Sequence, residues 1–129
     1  MVARDISRAA SYFVLHRLPE LYAGVKREAG SFPVQYLGAN VPQAWAAGCV
    51  FHLLRALLGL DADAHQKKLA IDPVLPPWLP EITLHKLRVG DARADLRFWR
   101  DGAVTRHEVL TIEGQLEVEQ RGTGGAREV

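Results

Sequence analysis

Cysteine is nearly missing from this chain: one thiol, Cys49, stands among 129 residues. A single thiol excludes an internal disulfide framework and a cysteine-based zinc site. Charge of one sign is missing too. Sixteen Lys and Arg face fifteen Asp and Glu, for a formal net charge of +1, and the basic residues form no run. Bulk electrostatics therefore point to no nucleic acid and no membrane partner. The first eleven residues carry Arg4, Asp5 and Arg8 and lack the apolar core of a secretory signal. The apolar stretch 44–60 is short for a membrane span and holds His52 and Arg55. His16, His52, His65, His85 and His107 show no zinc-ligand spacing, and there is no phosphate-cradling glycine loop. The expectation is a soluble, cytoplasmic protein with no metal and no cofactor, whose Cys49 packs as a small apolar residue.

Apolar periodicity gives an α+β reading. Ile6, Ala9, Ala10, Phe13 and Val14 recur at helical spacing, which predicts an amphipathic helix over 5–16, ended by Pro19. Periodicity is lost over 17–41, where Gly24, Gly30, Pro33 and Gly38 alternate with Tyr22, Phe32 and Tyr36. A loop this long in a small domain is more often functional than idle. A second helix is expected from Pro42, with Gly59 as its left-handed stop and Leu60 folding back onto the last turn. Residues 44–51 are apolar on every side, so that helix calls for cover all round. Beyond a linker at 61–66, period-two patterning predicts strands at 67–71, 81–89, from 92 to about 100, 103–111 and 115–118. Gly90-Asp91, Asp101-Gly102 and Glu113-Gly114 supply the turns of an antiparallel β-meander. Residues 119–129 are expected to be disordered. The division is 1–60 for the helices and loop, 61–118 for the β lobe and 119–129 for the tail.

Two segments carry a resemblance. Residues 17–24 (RLPELYAG) and 42–48 (PQAWAAG) are similar to paired signatures of the amylo-α-1,6-glucosidase, or glycogen-debranching, type of glycoside hydrolase. Order, a gap of about twenty residues and a helix opening at the proline all agree with that family's pattern. The likeness extends over about 5–100, since 69–98 resembles the β-rich tail of bacterial members. It implies two helices from the end of an (α/α)6 barrel followed by a small antiparallel β-meander. The activity implied is inverting hydrolysis of α-glucosidic bonds. Glu20, in the LPEL segment, corresponds to the general base. The general-acid aspartate of the family lies far upstream, so the chain is expected to be a C-terminal fragment, inactive alone. Val41 departs from the pattern, standing where members often carry a capping Ser or Thr.

Inversion needs two carboxyl groups about 6.5–9.5 Å apart, one protonating the leaving oxygen and one activating water. Glu20 follows a proline beside aromatic residues, a suitable place for such a carboxylate. Glu28, in a charged tip, and Asp72, ahead of Pro73, have simpler surface and turn readings. Tyr22 and Trp45 have the amphipathic rings that stack on sugars, although core packing accounts for Trp45 equally well. Gln43 suits either a sugar hydroxyl or the helix start. Arg93, Arg97 and Arg100 read as the wet face of the sheet. The partner implied is an α-glucan or oligosaccharide, with a second chain or a second copy completing the barrel. The alternative is a non-catalytic carbohydrate-binding or assembly module derived from the same family.

Overall fold

The computed structural model describes residues 2–26, 28 and 30–122. The chain divides into two compact units, Met1–Leu54 and Arg55–Val129.

In the first unit, helix α1 (Val2–Ala10) buries Ala9 and Ala10 together with Leu18, and Ile6, Phe13, Ala46, Cys49 and Val50 pack against them. Burial pushes the Cys49 thiol up, in keeping with a residue used for packing. The helix stops six residues before His16. The amides of Tyr12 and Phe13 bond one residue short of the helical pattern, to the carbonyls of Ala9 and Ala10. A 3-10 turn, Val14–His16, then carries Leu15 and His16 at positive φ. Tertiary packing overrides the helical pattern here. Tyr12 and Phe13 turn instead to Phe32, at ring-centroid distances of 5.9 and 5.3 Å, and Phe13 meets Tyr22 edge-on at 6.2 Å.

Helix α2 (Ala44–Leu58) begins in the first unit, two residues later than Pro42 suggests; Pro42 follows a cis peptide bond and lies outside the helix. Its last turn belongs to the second unit. Gly59 ends it at φ 59°, and the Leu60 N–H donates to the Arg55 carbonyl at 3.0 Å. That is the six-to-one bond of a Schellman stop, with Leu60 packed against the core.

The second unit holds two three-stranded sheets. One contains β1 (Asp61–Asp63), β2 (Lys68–Ile71) and β6 (Glu117–Gln120); the other contains β3 (Glu81–Val89), β4 (Ala92–Asp101) and β5 (Val104–Glu113). In the latter, β4 is central and antiparallel to both neighbours. Its Ala92, Ala94, Leu96 and Phe98 are buried while Arg93, Asp95, Arg97 and Trp99 occupy the other face. Leu96 and Phe98, fully buried, join Leu58, Leu69, Ile71, Leu75, Val89 and Ala94 in one core. The proline-rich crossing is tied in by the Leu75 N–H on Thr105 Oγ1 (2.9 Å) and the Arg100 N–H on the Pro80 carbonyl (2.8 Å).

The expected fold class is corrected by this arrangement. The described residues form two α-helices and two small sheets and are mostly β, which does not match the end of an (α/α)6 barrel. A barrel is built from long paired helices, whereas α1 has nine residues and breaks into a turn. The β lobe is also not one meander. The strand expected at 115–118 lies at Glu117–Gln120 and pairs in parallel with β2. The expected linker supplies β1, which pairs antiparallel with the same strand. Glu119 and Gln120 of the expected tail are thus in a strand; residues 123–129 fall outside the described ones.

Two outcomes follow from this packing. A Cβ added at Gly59 would lie 2.6 Å from the Asp72 carbonyl oxygen, whereas one at Gly102, also at positive φ, meets nothing within 4 Å. Gly59→Ala is therefore expected to destabilise by about 3 kcal/mol or more in urea unfolding, and Gly102→Ala by about 1–2 kcal/mol, the left-handed penalty alone. Equal losses would remove the role given to the close approach. Acid should also weaken the second unit. A hydrogen bond from Arg97 holds the Glu81 carboxyl below its ordinary value. The Lys86 backbone N–H, aided by His85, does so for Asp95, and Lys68 does so for Glu119. For such depressed groups the unfolded chain takes up protons first. Their stabilisation is complete above the ordinary carboxylate value of about 4 and is lost as pH falls through the lower folded values. The urea midpoint should fall between about pH 6 and pH 3, and fall less in Glu81→Gln.

Candidate functional site

The two signature segments meet in the first unit. Leu18 and Pro19 are buried, which anchors the LPEL segment and leaves Glu20 half-buried at the edge of that anchor. The Glu20 N–H donates to the Asn40 carbonyl at 3.0 Å, and the Gln43 N–H to the Leu18 carbonyl at 3.4 Å. Two bonds return from Asn40 to the carboxylate: Nδ2–H donates to Glu20 Oε2 at 3.1 Å and the backbone N–H at 3.4 Å. Backbone and side chain thus hold Glu20 from the same residue. Both donors use Oε2, so Oε1 has no hydrogen bond from the described residues. Hydrogen bonds of this kind fix a carboxylate's direction.

Residues 21–23 and 34–36 pair as a narrow ribbon beside this clasp. Tyr22 bridges to Gln35, the Ala23 N–H donates to the Val34 carbonyl at 2.9 Å, and the Tyr36 N–H donates to the Leu21 carbonyl at 3.1 Å. The ribbon and α1 border an open cleft of about 640 Å3, lined mainly by Ile6, Ala9, Tyr22, Phe32 and Val34, with Asp5, Lys26 and Glu28 among its polar groups. That volume lies within the usual range for small-molecule sites.

The four sequence-derived candidates take different places. Glu20 and Gln43 are brought together through the Leu18 and Asn40 bonds. Gln43 uses its side chain locally: Oε1 accepts from the Ala44 N–H at 3.0 Å, and its carbonyl accepts from the Ala47 N–H at 2.8 Å, so it occupies the helix start. Trp45, in the first turn of α2, is 66% exposed. Tyr22 is 40% exposed and lines the cavity, which Glu20, Gln43 and Trp45 do not. Glu28 also lines it, and its carbonyl accepts from Ser31. Asp72 sits between β2 and Pro73, its N–H donated to the Leu58 carbonyl.

Asn40 was missed by sequence reasoning. Its signal was available, an amide residue just ahead of the PQAW segment, but only the fold sets it beside Glu20. Phe13 and Phe32 were visible as aromatics, yet their shared role in shaping the ribbon depends on where α1 ends. Among the described residues no His, Cys, Asp or Glu group could hold a metal ion, and no helix is long and apolar enough to cross a membrane.

Chemically, the clasp offers one oriented carboxylate with a free oxygen, able to accept a proton from water. Among the described residues no acidic side chain is bonded to it. No family model, no curated protein and no solved structure matches this chain. The likeness of 17–24 and 42–48 to glycoside hydrolases rests on those residues alone.

If Asn40 holds the clasp, Asn40→Ala should raise amide exchange at Glu20 and Gln43 about five-fold, equivalent to ~1 kcal/mol. Exchange in β4 should not change. Unaltered exchange at Glu20 would show that the side-chain bonds contribute nothing to its placement.

Proposed function

We propose that this chain provides the general-base side of an inverting α-glucosidase site of the glycogen-debranching type, acting on an α-glucan or oligosaccharide in the cytoplasm without a cofactor. The observation that carries the reading is the clasp: the LPEL and PQAW segments, some twenty residues apart, are bonded so that Glu20 is held with Oε1 open. In this role Glu20 Oε1 accepts a proton from a water that attacks the anomeric carbon from the face opposite the leaving group. The glycosidic bond breaks as the new C–O bond forms, giving the inverted sugar. The leaving oxygen needs a proton from a second carboxyl group, for which the resemblance offers no counterpart in this chain; another polypeptide would contribute it.

The missing acid suggests a direct test. Fluoride leaves without protonation, so α-glucosyl fluoride should be hydrolysed to β-glucose by a site holding only the base. Maltose and isomaltose should stay intact. Glu20→Gln should lower the fluoride reaction by about 100-fold or more, the usual share of a general base. No turnover above the buffer rate, or turnover indifferent to Glu20→Gln, would remove the catalytic reading.

A second reading, a non-catalytic glucan-binding module, is favoured by the exposure of Trp45 and by the placing of Tyr22 at a cavity that Glu20 does not line. Retardation in glucan-affinity electrophoresis that survives Glu20→Ala but not Trp45→Ala would select it.

A further inference from the structure

Among the described residues strand β5 is an edge, with β4 on one side and no strand on the other. Among the described residues no backbone group from outside the sheet bonds to its backbone, the Leu75 N–H reaching only the Thr105 side chain. It has neither proline nor lysine, and its edge is blunted only by the charges of Arg106, Glu108 and Glu113 and by one bulge. The apolar side chains on its core face also run past the covered core. Leu96 of β4 is fully buried, whereas its β5 partner Val109 is 37% exposed, and Ile112, opposite the buried Ala94, is more exposed still. A register shift between Asp95 and Leu96 sets Leu110 out of the ladder, so regular pairing is confined to the half before it.

The direction of the backbone groups on that half follows from the hairpin. Asp101 pairs with Val104 across the two-residue loop Gly102-Ala103 and is therefore the closing hydrogen-bonded pair. Antiparallel alternation then turns the amides and carbonyls of Arg106 and Glu108 toward β4, and those of Thr105, His107 and Val109 outward. Arg100, opposite Thr105, gives its N–H to Pro80 on the far side of β4, as this alternation requires.

We propose that a second copy of this chain pairs with β5, strand antiparallel to strand, about a two-fold axis at His107. Self-pairing must set outward-pointing residues opposite one another. With the axis at His107, Thr105 faces Val109 and Arg106 faces Glu108, in both halves. Moving the axis one residue either way keeps the hydrogen bonds but sets Arg106 against Arg106, or Glu108 against Glu108. Charge thus selects one register. Each of these side chains also has a neighbour at home: Arg106 donates to Asp101 at 2.6 Å, and Glu108 lies opposite Arg97. Exposed pairs of this kind fix register more than they add affinity. The short ladder makes a weak dimer, joining two three-stranded sheets edge to edge.

Light scattering up to about 200 µM, a range suited to small interfaces, tests this directly. The wild-type mass should rise from 14.3 kDa toward twice that value. Glu108→Arg alone and Arg106→Glu alone should stay at the monomer mass. An equimolar mixture of the two should recover the dimer, because an acidic strand then faces a basic one. In the wild type, amide exchange at Thr105, His107 and Val109 should slow as concentration rises, while that of Arg106 and Glu108 stays constant. A wild-type mass fixed at 14.3 kDa overturns the proposal, as does a single reversal that associates like the wild type. So does a mixture that stays monomeric, or exchange at the three outward amides that ignores concentration.

Discussion

Strand β4 is constrained on three sides at once: β3 takes one of its edges, β5 the other, and its small-to-large series Ala92, Ala94, Leu96 and Phe98 fills the core of the second unit. A one-residue slip on either edge would turn that series to water and bring Arg93, Asp95 and Arg97 inward, at a cost no surface contact could offset. The remaining parts of the unit adapt to this strand. Leu58 at the end of α2 and Leu69 and Ile71 of β2 share the core it defines, and the Pro-rich crossing is fastened next to it by Arg100 and Thr105. The outward charges of β4 are used as well. Arg97 reaches Glu81 with both Nε and Nη2 and lies over the Trp99 ring, while Asp95 accepts from the Lys86 amide.

The first unit works differently. Its buried cluster is small, with alanines and one leucine at its centre, so area burial contributes less there. Order in its long loop comes from directed contacts: the Phe13–Phe32 and Phe13–Tyr22 ring pairs, the Tyr22–Gln35 bridge and the Glu20–Asn40 bonds. A carboxylate at such a place is held by few groups. That is compatible with a functional role, since sites commonly occupy loops positioned by a more rigid part of the chain.

Turn chemistry was the most legible part of the sequence. Gly90-Asp91 and Gly102 placed the hairpins of β3, β4 and β5, and Gly59 with Leu60 placed the end of α2, because each depends on a residue's own backbone preference. The α1 boundary was not legible, since Phe13 and Val14 continue the helical stripe and the chain turns only where aromatic partners from residues 22–32 meet it. The parallel pairing of β6 with β2 was also hidden. A four-residue strand carries no mark of which distant partner it joins. The barrel-end expectation failed for a related reason: it was drawn from motif likeness, and motifs fix local segments and not the number or length of helices around them.

By itself, the sequence determined local matters: where hairpins close, which face of β4 is apolar, that Cys49 packs without a disulfide partner, and which glutamate stands in the LPEL segment. These depend on neighbours one to four residues away, whose effect composition and spacing express. Only the tertiary structure decided that Asn40 holds Glu20, that Gln43 is occupied at its own helix start, that β6 leaves the meander and that β5 has no second strand beside it among the described residues. Each of those depends on residues far apart in the chain coming within a few ångströms, and a linear pattern does not record such distances.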